Sequence, residues 1–153
     1  SLIENQRLNG EIEALNVENQ SLGRQNRALL QELESQEELI AYAADSNSQR
    51  LTIPGTDAQP TASGGLFIRP ETNELLLVLT NLQPLSEEQI YQLWLIEEIP
   101  VSGGLIEITP DGTGIFKIDL DSGAIDFSAI GVSVEPMGGS ERPTGDIVLF
   151  GEV

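Results

Sequence analysis

Leucine recurs every seventh residue at Leu8, Leu15, Leu22 and Leu29, and this spacing leaves the first third of the chain little choice of fold. With these leucines at heptad position d, position a holds Asn5, Ile12, Asn19, Asn26, Leu33 and Ile40. Alternating steps of four and three keep one narrow stripe on a partner helix, so residues 1–46 are expected to form a long α-helix and a coiled coil. A helix packed on its own domain is the alternative, but it would normally carry a wider apolar face. Leucine at d favours two parallel strands, which points to a parallel homodimer with a seam of Leu8, Ile12, Leu15, Asn19, Leu22, Asn26, Leu29, Leu33 and Ile40. The asparagines cost stability but penalise shifted registers. Gly10 and Gly23 lie off the seam and each costs about 1 kcal/mol of helix propensity. Glu11, Glu18 and Glu32 at position g find few cations at e, so the coil is expected to be weak by itself. At about 1.5 Å per residue it would make a stalk roughly 65 Å long.

From Asp45 the pattern breaks. Polar Ser46–Gln49 and the breakers Pro54-Gly55, Pro60 and Ser63-Gly64-Gly65 lead into short apolar runs separated by turn signals. A first short strand is expected near 51–53, and a Gly/Pro-rich connection to about 65. Further strands are expected at Leu66–Arg69, Leu75–Thr80, Ile90–Ile96, Gly104–Thr109, Gly114–Leu120, Ile130–Val134 and Ile147–Gly151. About seven or eight mostly antiparallel strands without a crossover helix predict an all-β sandwich over residues 47–153. Asp111-Gly112 reads as a two-residue hairpin. Ser86-Glu87-Glu88-Gln89 resembles a capping box, with room for one helical turn at most.

Seven Lys+Arg against 25 Asp+Glu leave a net charge of −18. Nucleic acid and anionic lipid are poor partners for such a surface. The chain has no Cys and no His, so zinc, haem and iron–sulfur sites lose their usual ligands, and Ser–His and Cys–His dyads cannot form. No cofactor is expected. No run approaches the roughly 18 apolar residues of a membrane span. The sequence begins at Ser1 within the heptad pattern and reads as a fragment of something longer, with any membrane anchor elsewhere.

Chemistry is sparse. Glu87/Glu88, Glu97/Glu98 and Asp119/Asp121 are carboxylate pairs, yet cleaving a glycoside also calls for aromatic platforms. The chain has one Trp and two Tyr, of which Tyr42 lies in the stalk. No enzyme activity is expected. Asp119–Asp126 hints at calcium, but Gly123 stands where an oxygen ligand is wanted and no distal Glu follows. Gly138-Gly139-Ser140 is a weak hint of an anion nest.

In Tyr91–Ile96, Tyr91, Leu93 and Leu95 share the face expected to enter the core. Trp94 lies on the other face, as a packing residue or a ligand platform. The most specialised segment is Val132–Gly145, whose 14 residues include two prolines and three glycines. Pro136 holds Glu135 extended and ends a strand; Gly138 and Gly139 permit positive φ; Pro143 fixes the exit into Thr144-Gly145. Glu135, Glu141 and Arg142 form a local acid–base group, of little energetic value if exposed. The segment reads as a rigid connecting loop or as a docking surface.

Tyr91-Gln-Leu-Trp-Leu-Ile96, Pro100-Val-Ser-Gly-Gly-Leu105, the Asp111-Gly112 turn and Val134-Glu-Pro-Met-Gly-Gly-Ser-Glu-Arg-Pro-Thr-Gly145 together resemble, in order and spacing, the C-terminal domain of anti-sigma-K factors (RskA-like proteins). The likeness spans about 50–153 and leaves the helix outside it. Met137 departs from it, where a small residue is expected. The resemblance implies an extracytoplasmic regulatory domain of a membrane-tethered anti-sigma factor. Such a parent protein would hold an extracytoplasmic-function sigma factor through an N-terminal segment, and proteases at the membrane would cut it to release that factor. Two other readings fit the residues: a structural cell-surface head on a coiled stalk, and a small-ligand module with its site near Trp94 or the Gly138 loop.

Overall fold

The computed structural model describes residues 1–69, 72–119 and 127–153. The chain divides into two compact units, Ser1–Ile40 and Ala41–Val153. A single helix, α1 (Leu2–Ala44), accounts for the first and contributes its last turn to the second. Leu8, Ile12, Leu15, Leu22, Leu29, Leu33 and Ile40 are 42–65% exposed in the single chain. Asn19 and Asn26 are exposed on the same stripe.

Eight strands follow: β1 (Gln49–Pro54), β2 (Ser63–Ile68), β3 (Glu74–Thr80), β4 (Gln89–Ile96), β5 (Pro100–Ile106), β6 (Gly114–Asp119), β7 (Ala129–Pro136) and β8 (Ile147–Glu152). They form two four-stranded antiparallel sheets of order β1-β2-β3-β6 and β5-β4-β7-β8, the expected β-sandwich. Period-2 alternation builds the core. Leu66 and Ile68 of β2, with Leu75, Leu77 and Leu79 of β3, meet Tyr91 and Leu93 of β4 and Ile130 and Val132 of β7. Burying these side chains supplies the main stabilising term, at about 1.5–3 kcal/mol for each large aliphatic group.

Two bulges adjust the second sheet. Val132 pairs with Leu149 and Ser133 with Ile147, so Val148 is the extra residue. That insertion explains how Val148 and Leu149, adjacent in sequence, both enter the core. In β5, Leu93 pairs with Gly104 and Trp94 with Ser102, leaving Gly103 extra. A Cβ at Gly103 would lie 2.9 Å from Leu93 Cδ2, and Gly104 has φ +131°. Thus Pro100–Gly104, rich in strand breakers, still forms an edge strand, where a missing donor and a bulge are tolerated.

The expected hairpin at Asp111-Gly112 is not one. The local turn is tight: Thr109 N–H donates to Thr113 O at 2.8 Å, Gly112 N–H donates to Thr109 O at 2.9 Å, and Gly112 has φ +77°. However, β5 and β6 belong to different sheets, so the turn is a crossover. Gly112 is needed because a Cβ would sit 2.2 Å from Leu82 O. Turn chemistry dictates the reversal; it does not dictate that the flanking strands pair.

Candidate functional site

Three of the four segments that carry the resemblance, all but the Asp111-Gly112 turn, meet at the second sheet. Register pairs Ile90 with Glu135, Gln92 with Ser133 and Trp94 with Gly131, so these six residues share a face opposite the core. Pro136 ends β7, and Gly138 (φ +95°) and Gly139 (φ +84°) reverse the chain. The loop then returns over this face. Gln92 holds it by a two-point amide contact: its Oε1 accepts from Ser140 N–H at 2.8 Å, and its Nε2 donates to Ser140 O at 2.9 Å. Nε2 also donates to Ser102 Oγ at 2.8 Å, which ties in β5. Gly139 must lack a side chain here, since a Cβ would lie 2.7 Å from Leu105 Cδ2 and 3.1 Å from Gln92 Oε1.

Glu135 anchors the loop. It is 1% exposed, so the condition under which a local pairing would count for little does not hold for it. Hydroxyl and amide donors replace the cation. Ser133 Oγ–H donates to Oε1 at 2.6 Å, Thr144 N–H donates to Oε1 at 2.9 Å, and the Thr144 hydroxyl donates to Oε2. Gly145 N–H adds a longer contact at 3.3 Å. Burial alone would push this carboxyl up. The bonds from Ser133, Thr144 and Ser140 outweigh it and hold the value at about 2, so the group is an anion at neutral pH. Gly145 is fixed by space, because a Cβ would fall 1.8 Å from Val134 O.

Trp94 completes the network. It is 1% exposed, and its Nε1–H donates to Ser133 Oγ at 2.8 Å. An indole so enclosed presents no open ring face, so Trp94 packs rather than serving as a platform. Tyr91 points into the core from the same strand. Its hydroxyl donates to Gln83 O at 2.6 Å and accepts from Gln59 Nε2 at 2.9 Å, and burial pushes its pKa up. Leu95 is partly buried against the core. Met137, the departure from the family pattern, is 57% exposed and disturbs no packing. It lines an open groove of about 470 Å³ with Leu85, Ile90, Ile106 and Ile108. Pro143 stands at the loop's exit, one residue before the Thr144 contacts. Of the Asp119–Asp126 run, only Asp119 lies among the described residues. Among those residues, no group of three or more acidic side chains could hold a metal ion.

Sequence reasoning gave no role to Ser133, Gln92 or Tyr42, and took Ser140 only as part of a weak hint of an anion nest. Ser133 and Gln92 were legible in principle, because alternation puts Gln92 on Trp94's face of its strand and Ser133 on the same face as Glu135 in the other. Tyr42 is 1% exposed and packs within the second unit. Its hydroxyl donates to Glu74 Oε2 at 3.2 Å, and the Arg69 guanidinium lies 4.1 Å from its ring centroid. Asp45 pairs with Arg69 at 3.2 Å, and Lys117 with Glu74 at 3.4 Å.

The arrangement is a hydrogen-bonded cover in which the Glu135 carboxylate and the Trp94 indole are both buried. Searches of curated proteins and of solved structures gave no match. The family model described as anti-sigma-K factor rskA, C-terminal, matches residues 10–147. The match takes in most of α1, which corrects the expectation that the likeness begins near residue 50. The helix carries only periodicity, with no distinctive residues by which to recognise a family. Covering nearly the whole chain, from Gly10 through the Glu135 loop, this match makes the chain a member of the anti-sigma-K factor rskA C-terminal family, a regulatory family of anti-sigma factors.

Proposed function

We propose that this chain is the extracytoplasmic regulatory region of a membrane-anchored anti-sigma factor. Its parent protein holds an extracytoplasmic-function sigma factor and releases it through proteolysis at the membrane. The observation that carries this reading is the family match over residues 10–147. The closed, hydrogen-bonded surface around Glu135 and Trp94 suits a domain that guards or senses. Among the described residues no helix is long and apolar enough to cross a membrane. This reading places the tether and the sigma-binding segment in other parts of the parent protein.

The exposed stripe of α1 pairs with a second copy in a parallel homodimer. Leucines at d supply the apolar contact, and Asn19 and Asn26 set the register at a cost in affinity. Replacing both asparagines with leucine should tighten self-association at least about tenfold by sedimentation and loosen the preference for two strands. Wild type and variant that both sediment as monomers would rule out the seam.

The regulatory reading is tested in the parent protein. Deleting residues 41–153 should raise transcription from the sigma factor's own promoter and yield a shortened, membrane-associated fragment. A phosphatase fused after Val153, active only outside the cytoplasm, should be active. Unchanged promoter output together with an inactive fusion would contradict the proposal.

A further inference from the structure

Helix α1 ends where local rules give it little reason to hold. Its last turn carries no basic side chain. Asp45 places a negative charge at the helix C-terminus, where the macrodipole disfavours one. The following residues, Asp45-Ser46-Asn47-Ser48, offer no glycine for a left-handed cap. Even so, the turn is closed: Asp45 N–H donates to Ala41 O at 3.1 Å, and Asp45 Oδ1 accepts from Asn47 N–H at 3.0 Å.

Tertiary contacts supply what the sequence withholds. Tyr42 is buried, with Arg69 over its ring and its hydroxyl on Glu74. Arg69 also answers the charge of Asp45, and Lys117 answers Glu74. These partners come from three places in the first sheet. Arg69 follows β2, Glu74 opens β3, and Lys117 lies in β6. The side chains that hold the helix end thus come from, or lie next to, three strands of one sheet. Ala43, Ala44, Ser46 and Asn47 are small and exposed, so the segment would enter a protease cleft readily once extended, but not as a helical turn.

We propose that residues 41–48 are a releasable strap, held as helix and turn by Tyr42, Arg69 and Glu74, and freed as an extended, protease-accessible segment when the β2, β3 and β6 positions that carry the clamp move apart. The strap stands on geometry within Ala41–Val153. Its regulatory consequence, that a disturbed head exposes a cleavage segment, rests on the function proposed above.

Limited digestion of the chain with elastase, which favours small residues, tests the strap when cuts are mapped by mass spectrometry. Tyr42→Ala should speed cutting within 41–48 about tenfold or more, and Arg69→Gln several-fold, with the strand signal in circular dichroism retained. Tyr42→Phe, which keeps the ring, should fall between wild type and Tyr42→Ala. If Tyr42→Ala does not fold, Arg69→Gln decides. Folded Arg69→Gln cut at the wild-type rate would overturn the strap. So would wild type cut within 41–48 as fast as a free peptide of residues 38–50. In the parent protein, Arg69→Gln should raise sigma-dependent transcription. Faster cutting in vitro with unchanged transcription would leave the strap standing and remove the regulatory reading.

Discussion

The two sheets are both braced from outside, and by opposite chemistry. On the second sheet a single buried carboxylate, Glu135, is surrounded by short, fixed donors from Ser133, Thr144 and Gly145. On the first, Tyr42 is held by long charged side chains, with Arg69, Glu74 and Lys117 each partly exposed. A buried charge that loses its donors is stranded in a poor solvent, so the Glu135 brace is all-or-none and is the first of the two. Ion pairs near water can break and be replaced by hydration, so the second is adjustable. The segment most distinctive in sequence is thus the static one, and the joint built to yield carries no motif.

Breaking the static brace should give the largest effect. Glu135→Ala leaves the donors of Ser133, Thr144 and Gly145 without their acceptor and should cost about 3–4 kcal/mol in denaturant unfolding. A loss under about 1 kcal/mol would mean that the loop is not anchored there.

Solution pH should separate the two braces from opposite sides. Glu135 sits at about 2, below its ordinary 4.5, so the unfolded chain binds the proton more readily. Its stabilisation is complete above about 4.5 and is lost as pH falls towards 2. Tyr42 is raised from 10 to about 12, first by burial and then by the Glu74 charge and hydrogen bond. Neutral phenol is favoured in the folded chain, so that contribution is intact below about 10 and is lost as pH rises towards 12. Trp94, the only tryptophan, reports the loop by fluorescence. Its emission should change on the acid side, while elastase cutting within 41–48 should rise on the alkaline side first. The same order of events at both ends of the pH range would erase the distinction. The smallest effect is expected of Tyr42→Phe, which loses one partly buried hydrogen bond and about 0.5–1 kcal/mol. That loss should appear locally, in the protection of residues 41–48, more than in the melting of the sheets.

The fold was largely legible because half-buried strands show in sequence as short alternating runs. Each of the eight apolar runs overlaps an observed strand, although Gly104–Thr109 meets β5 only over residues 104–106, and Leu120 lies outside the described residues. What escaped depended on distant partners. The turn at Asp111-Gly112 has the residues of a hairpin, and only the assignment of β5 and β6 to different sheets makes it a crossover. The backbone of the Glu135 loop was legible from Pro136, Gly138 and Gly139, whose positive φ values bear out their glycines. The burial of Glu135 was not, because an acid among Gly and Pro looks solvent-facing until Ser133, Ser140 and Thr144 are folded against it. Tyr42 falls at heptad position c, off the seam. A lone aromatic off the heptad stripe was the available sign that something other than a partner helix covers it.

Amide hydrogen exchange on the unmodified chain compares the two braces directly. The Thr144 and Gly145 amides, bonded to Glu135, should exchange only with global unfolding. The amides of Tyr42–Asp45 should exchange at least about a hundredfold faster, through local opening. Equal protection at the two places, or slower exchange at Tyr42–Asp45 than at Thr144, would contradict a fixed loop and a releasable strap.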